Sequence, residues 1–299
     1  MPNPSIASEQ LCTLGESPIW SVKEQALYWV DIVKTRIHRL NPLNGHVDQW
    51  QMKFQIGSIG LANGSHLIAG TRQGLGFIKL SDGSFDLIAD PEGNGKNNLV
   101  RMNDGKVDRR GRFWCGGIED PGCSEIASLY RLDPDHTVHN MESSIAISNA
   151  ICWSPDDLTM YFADSLKAEV WAYDFDATEG TIHNRRVFID MTDEAGVPDG
   201  ATVDSDGFLW IALFGAGMVK RYDSNGKAER TVRFPVSQTS CPAFGGVDMK
   251  TLFVTTASQN FKPDDFKREP NAGALFSLET NVKGIPEPTF GRRPKIKPK

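Results

Sequence analysis

No apolar run in this 299-residue chain approaches the eighteen or so residues that a membrane span requires. The start, MPNPSIASEQLCTLGESP, lacks a charged segment followed by an apolar core, so no secretion signal is expected either. Cysteine is scarce and odd in number. Cys12, Cys115, Cys123, Cys152 and Cys241 are scattered without a CxxC pair, which disfavours a disulfide framework and a thiolate zinc site. Basic charge is not in excess: the net charge is -6, against a nucleic-acid binder working through a basic face. There is no GxSxG elbow, and the run GNGKNN lacks the spacing and hydroxyl residue of a phosphate loop. A serine-histidine hydrolase is thereby disfavoured, and a cytoplasmic protein touching neither membrane nor nucleic acid is the default expectation.

What the chain does contain is a repeat. Copies begin at Trp20 (WSVKEQALYWVDI), Leu61 (LANGSHLIAG), Val107 (VDRRGRFWCG), Trp153 (WSPDDLTMYFADS), Val203 (VDSDGFLWIAL) and Val247 (VDMKTLFVTTAS). The mean step of about 45 residues lies in the range of propeller blades. Each copy is followed by a second hairpin signal, from TRIHRLNPLNGHVDQW in the first to ALFSLETNVKGIPEPTF in the last. Period-two alternation with Asn-Gly, Asp-Gly and Pro-Asp turns marks these as strands. Two hairpins per repeat predict an all-β, six-bladed propeller with four antiparallel strands per blade. Such blades bury their faces only by stacking on one another, so residues 1–299 are expected to form one domain with a core of about 12–284. The closing GRRPKIKPK, about 291–299, reads as a solvated basic tail. Trp29, Trp114, Trp153 and Trp210 read as blade core.

Four residues before the start of each copy stand Glu16, Asn103, Asn149 and Asp199, whereas the second and sixth copies give Gly57 and Ala243. A fixed offset lands at one height on every blade, so the four polar side chains are predicted to converge on one mouth of the central channel. Asp, Glu and Asn are also common in turns, and the neighbouring Asp104, Asp108, Asp156, Asp204 and Asp206 read as turn residues of the repeat. Carboxylate and amide oxygens without sulfur are hard ligands that suit Ca²⁺, Mg²⁺ or Mn²⁺ better than Zn²⁺.

Several motifs match a known family. GESPIW, WVDI, RMNDGKVDRRGRFWCGG, SNAICWSPD, YFADS, VPDGATVD and GALFS resemble, in order from about Cys12 to about Gly284, the senescence-marker-protein, gluconolactonase and regucalcin family of sugar lactonases. The resemblance implies a six-bladed propeller with one divalent metal, calcium first, at the channel mouth. Glu16, Asn149 and Asp199 match the family's metal ligands, and Arg101 and Asn103 its substrate-contacting pair. An acidic residue beyond the RFWCGG strand should touch substrate; Glu119 is the first choice and Asp120 its competitor.

The expected reaction is hydrolysis of an aldonolactone to its aldonic acid. Asp199 is expected to serve as catalytic base as well as ligand, and the protein is expected to be a monomer or weak homo-oligomer. Two other readings stay open: a calcium-binding regulatory protein without essential turnover, and a hydrolase of a non-sugar lactone or phosphotriester. Arg101 with Asn103 favours the enzyme, because a mere cation binder has no need of them.

Overall fold

In the computed structural model, which describes residues 3–93 and 99–291, six four-stranded antiparallel sheets form a six-bladed β-propeller. The basic tail beyond Gly291 and most of the GNGKNN run lie outside the described residues. The innermost strands are Gly15–Ser21, Ile56–Leu61, Val100–Val107, Ser148–Trp153, Val197–Val203 and Thr239–Gly245. They stand side by side around the axis, with the first against the last.

The core lies between blades. Leu67, Ile59, Tyr28 and Ile37 pack blade 1 on blade 2. Trp114, Trp153, Phe162 and Trp171 pack blade 3 on blade 4. Trp29 and Trp210 are buried on either side of blade 6 in one cluster with Phe244 and Phe253. The four tryptophans read as blade core are all buried. Two of them use a device written into the repeat. In VDRRGRFW, Asp108 caps its own turn through the Arg110 and Arg112 amides and accepts from Trp114 Nε1 at 3.0 Å. In VDSDGFLW, Asp204 does the same with the Asp206 and Phe208 amides and Trp210 Nε1 at 2.8 Å.

The ends of the chain depart from the repeat. The expected return strand of ALFSLETNVKGIPEPTF does not form. Only Leu275–Glu279 joins blade 6, and its fourth strand is Ser5–Ser8 from the amino-terminal end. The ring is therefore closed by pairing its two ends, and the propeller begins before residue 12. Residues 283–291 instead run across the far turns of other blades. The Ser205 amide donates to Lys283 O at 2.7 Å, the Phe290 amide to Leu61 O at 2.8 Å and the Gly291 amide to Gly111 O at 2.9 Å. Glu287, from the same segment, pairs at 3.5 Å with Lys106 inside the channel. Pro286 and Pro288, which lack amide donors, suit a strap rather than a ladder strand.

Candidate metal and substrate site

Every innermost strand carries a register break at its entry. The breaks fall at Glu16/Ile19, Ile56/Ser58, Met102/Gly105, Asn149/Cys152, Pro198/Ala201 and Thr239/Cys241. A bulge bends its strand and re-aims a side chain that would otherwise point into the blade face. Ser17 and Ala150, just after two candidate ligands, hold the left-handed conformation with φ of 50° and 57°. The repeated bulge is the physical reason that one sequence offset recurs at one rim.

In blade 6 the bulge residue is Ser240, not Ala243. Phe244, facing Leu252, takes the place that Trp20, facing Leu27, holds in blade 1. The repeat start there lies three residues earlier than the Val-Asp pattern suggests, and Val247 belongs to the turn. In blade 2 the equivalent is Gly57. A Cβ there would overlap the Met102 carbonyl and lie 2.8 Å from Asn103 O, so close approach to blade 3 requires glycine. Gly57→Ala is expected to cost about 1–3 kcal/mol by overpacking, read as a lowered denaturation midpoint. It should also weaken the site, because the strand it displaces carries Asn103.

The structure brings Glu16, Asn103, Asn149 and Asp199 together. Asn149 and Asp199 are 5% and 7% exposed. A one-way chain of donors fixes the amides. Arg101 Nη1 donates to Asn103 Oδ1 at 2.8 Å, and Asn103 Nδ2 to Ser148 O at 2.9 Å and Asn149 Oδ1 at 3.3 Å. Asn149 Nδ2 donates to Ser165 Oγ at 2.8 Å, and Ser165 Oγ to Pro198 O at 2.6 Å, beside Asp199. Ser165 and Asn103 thus fix the orientation of the Asn149 amide, one taking its NH₂ and the other meeting its oxygen. The only sequence signal for Ser165 was its place in YFADS.

The Glu16 and Asp199 carboxyls are close enough to share a proton. Burial raises both pKa values, and the pair raises Asp199 further because two adjacent charges in a dry site repel. Asp104 adds to that repulsion. It is buried within its strand, Oδ2 accepting the Ile151 amide at 2.9 Å, and is not the turn residue its repeat context suggested. Next to Asn103, it points into the channel because a two-residue bulge turns both side chains inward. Burial raises its pKa as well, with Lys106 opposing. Among the described residues no Lys or Arg forms an ion pair with Glu16, Asp104 or Asp199. A part-buried and a buried carboxyl in contact, with no ion pair to either among the described residues and an amide beside them, form a donor set that fits a hard divalent cation.

Arg101, 5% exposed, reaches the other way. Its Nε donates to Asp120 Oδ2 at 2.8 Å. The same oxygen lies 2.9 Å from Arg72 Nη2. Burial works against ionising Asp120, but Arg101 and then Arg72 outweigh it and hold its carboxyl below the usual range. Glu119 turns away at the end of the strand, with Oε2 accepting the Ser124 amide at 2.8 Å. Of the two acids considered for this position, the structure therefore sets Asp120 on Arg101 and Glu119 on its own loop. A cleft of about 730 Å³ lies elsewhere, among Tyr28, Arg39, Trp50 and Pro286. There Arg39 pairs with Glu24 at 3.3 Å.

A family model described as the SMP-30/Gluconolactonase/LRE-like region matches residues 14–258. Regucalcin of Oryctolagus cuniculus is 36% identical over 282 residues, covering 92% of this chain and 94% of that protein. A 6-deoxy-6-sulfogluconolactonase of Pseudomonas putida is 34% identical over 283 residues, covering 94% of this chain and 96% of that protein. Among solved structures, the calcium-binding protein regucalcin from Agrobacterium tumefaciens superposes with a TM-score of 0.91 at 30% identity, covering 95% of this chain and 96% of that one.

Proposed function

This chain belongs to the SMP-30/gluconolactonase/LRE-like family, and from that premise we propose that it hydrolyses a sugar lactone to its aldonic acid. In this reading Glu16, Asn149 and Asp199 hold one divalent cation, calcium in the first instance. The observation that carries it is the contact of the part-buried Glu16 carboxyl with the buried Asp199 carboxyl, beside the buried Asn149, with no ion pair among the described residues at either acid.

When bound, the cation supplies Lewis-acid polarisation of the lactone carbonyl. The protein does the rest. Asp199 takes a proton from the attacking water as its oxygen bonds to the acyl carbon, and returns it to the ring oxygen as the acyl C–O bond breaks. Asn103 can accept and donate at once, which suits vicinal hydroxyls. Arg101 is aimed by Asp120 and presents a fixed fork to hydroxyl or carbonyl oxygens. Of the two neighbouring acids, Asp120 stands beside this pair, while the Glu119 carboxylate is taken up by the Ser124 amide.

The test is a panel of aldonolactones assayed with metal-stripped and metal-restored protein. Turnover should vanish on stripping and return with the ion. Asn103→Ala should lower kcat/KM by roughly 10- to 100-fold, the loss expected when buried polar contacts go unpaired. Activity indifferent to stripping would remove the metal mechanism. Tight cation binding without turnover of any lactone would favour the regulatory reading.

A further inference from the structure

We propose that Asp104 and Lys106 are positioning residues of the metal site. From the innermost strand of blade 3, each reaches the backbone of one ligand-bearing strand, at Ile151, two residues beyond Asn149, and at Ala201, two beyond Asp199. This rests on the metal reading of the site and adds the groups that hold two of its three ligands in place.

The need for them arises from the bulges. In blade 4 the ladder pairs Asn149 with Ala163 and next Cys152 with Tyr161, so Ala150 and Ile151 have no partner residue in it. A bulge aims a side chain but leaves backbone groups without ladder bonds, and such a group is costly to bury unless something replaces the partner. Asp104 supplies the replacement: its Oδ2 accepts the Ile151 amide at 2.9 Å. In blade 5 the ladder likewise passes from Pro198 to Ala201, skipping Asp199 and Gly200. Lys106 Nζ donates to Ala201 O at 3.1 Å, at the residue where that ladder resumes. Blade 4 separates blade 3 from blade 5 in the ring, so the Lys106 side chain crosses the channel to reach it.

Pairing with each other does not account for the two side chains. Among the described residues no ion pair joins Asp104 to Lys106; the Lys106 ammonium meets Glu287 of the strap instead, at 3.5 Å. Its charge is thus answered from the far end of the channel, and the Asp104 oxygen is left to the Ile151 amide. Asp104 is 9% exposed, and the Lys106 and Glu287 side chains are 15% and 11% exposed. Bulk water therefore does not stand ready to replace a lost partner. A cation is held tightly only when its oxygens keep their places, and partners outside the ligand shell are what keep them there. Here they act through the main chain, because a shift of Ile151 or Ala201 moves the bulge that aims Asn149 or Asp199.

The experiment titrates the metal-stripped, full-length protein with calcium alone in a calorimeter, for wild type, Asp104→Ala, Asp104→Asn and Lys106→Met, each first checked for folding by its thermal melt. Asp104→Ala and Lys106→Met should each weaken calcium binding by about 10- to 100-fold. Asp104→Asn loses the same charge as Asp104→Ala but keeps an acceptor of the same shape, so it should bind calcium about fivefold or more tightly than Asp104→Ala. Equal losses in those two would reduce Asp104 to a charge effect and overturn its part. Lys106→Met separates the two causes by sign: removing a positive charge near the cation would by charge alone tighten binding, so weaker binding reports the lost support of Ala201. Binding by folded Lys106→Met that is unchanged or tighter overturns the proposal, and this holds even if Asp104→Ala fails to fold. Wild type that takes up no divalent cation would end the metal reading and this proposal with it, whereas calcium binding that the variants leave intact would end this proposal alone.

Discussion

Asp199→Asn is expected to lower kcat for lactone hydrolysis by about a thousandfold or more while leaving the propeller folded. The substitution keeps the shape of a side chain that is 7% exposed but removes both the base and one of two charges offered to the cation. Its effect on stability should run the other way. In the metal-free protein Asp199 and Glu16 confront each other in a dry site, and an amide in place of one carboxyl ends that repulsion. The metal-free variant should therefore melt at or above the temperature of the metal-free wild type, an exchange of function for stability. Steady-state rates with the ion in excess, alongside thermal melts without it, check both halves. A variant that retains activity within tenfold of wild type would show that Asp199 is neither base nor indispensable ligand.

How much of this site was readable from the chain follows from how it is built. The blade count was legible because each blade repeats the same turn chemistry, seen in Asp108 with Trp114 and Asp204 with Trp210. The meeting of Glu16, Asn103, Asn149 and Asp199 was legible because equivalent bulges recur on every innermost strand. Where the repeat slips, the reading slipped with it: Ser240 replaces Ala243 because the position equivalent to the copy start in blade 6 is Phe244, three residues before its Val-Asp pattern. Asp104 looked like its turn-forming neighbours, since nothing in RMNDGK distinguishes a two-residue bulge from a turn. The closing of the ring by Ser5–Ser8 could not be read, because pairing between chain ends leaves no local signal. Arg72 and Ser165 escaped for a related reason. Each acts through a contact with another blade, and only the curvature of the ring brings it there.

Cation affinity should fall steeply with acidification, by roughly tenfold per pH unit below the raised pKa of the carboxyl pair, because binding must expel about one shared proton. The sign follows from the direction of the shifts. Burial, Asp104 and the pair's own repulsion raise the Glu16 and Asp199 values in the folded, metal-free protein. In that state the proton contributes stability that is fully present below the ordinary carboxyl values of 4.5 for Glu and 3.8 for Asp. This contribution is lost as pH rises toward the raised values. The metal-free protein should thus become less stable across that window, while protein with excess Ca²⁺ should not, since the ion takes the place of the proton. The gap between the two melting curves should widen as pH rises. Isothermal titration at several pH values, in buffers of different ionisation heat, would count the protons released directly. Glu16→Gln should flatten the pH dependence, because a single carboxyl beside an amide no longer needs a shared proton. An affinity independent of pH, or a metal-free protein whose stability rises through the same window, would mean that Glu16 and Asp199 are already both ionised and are held by something other than the cation.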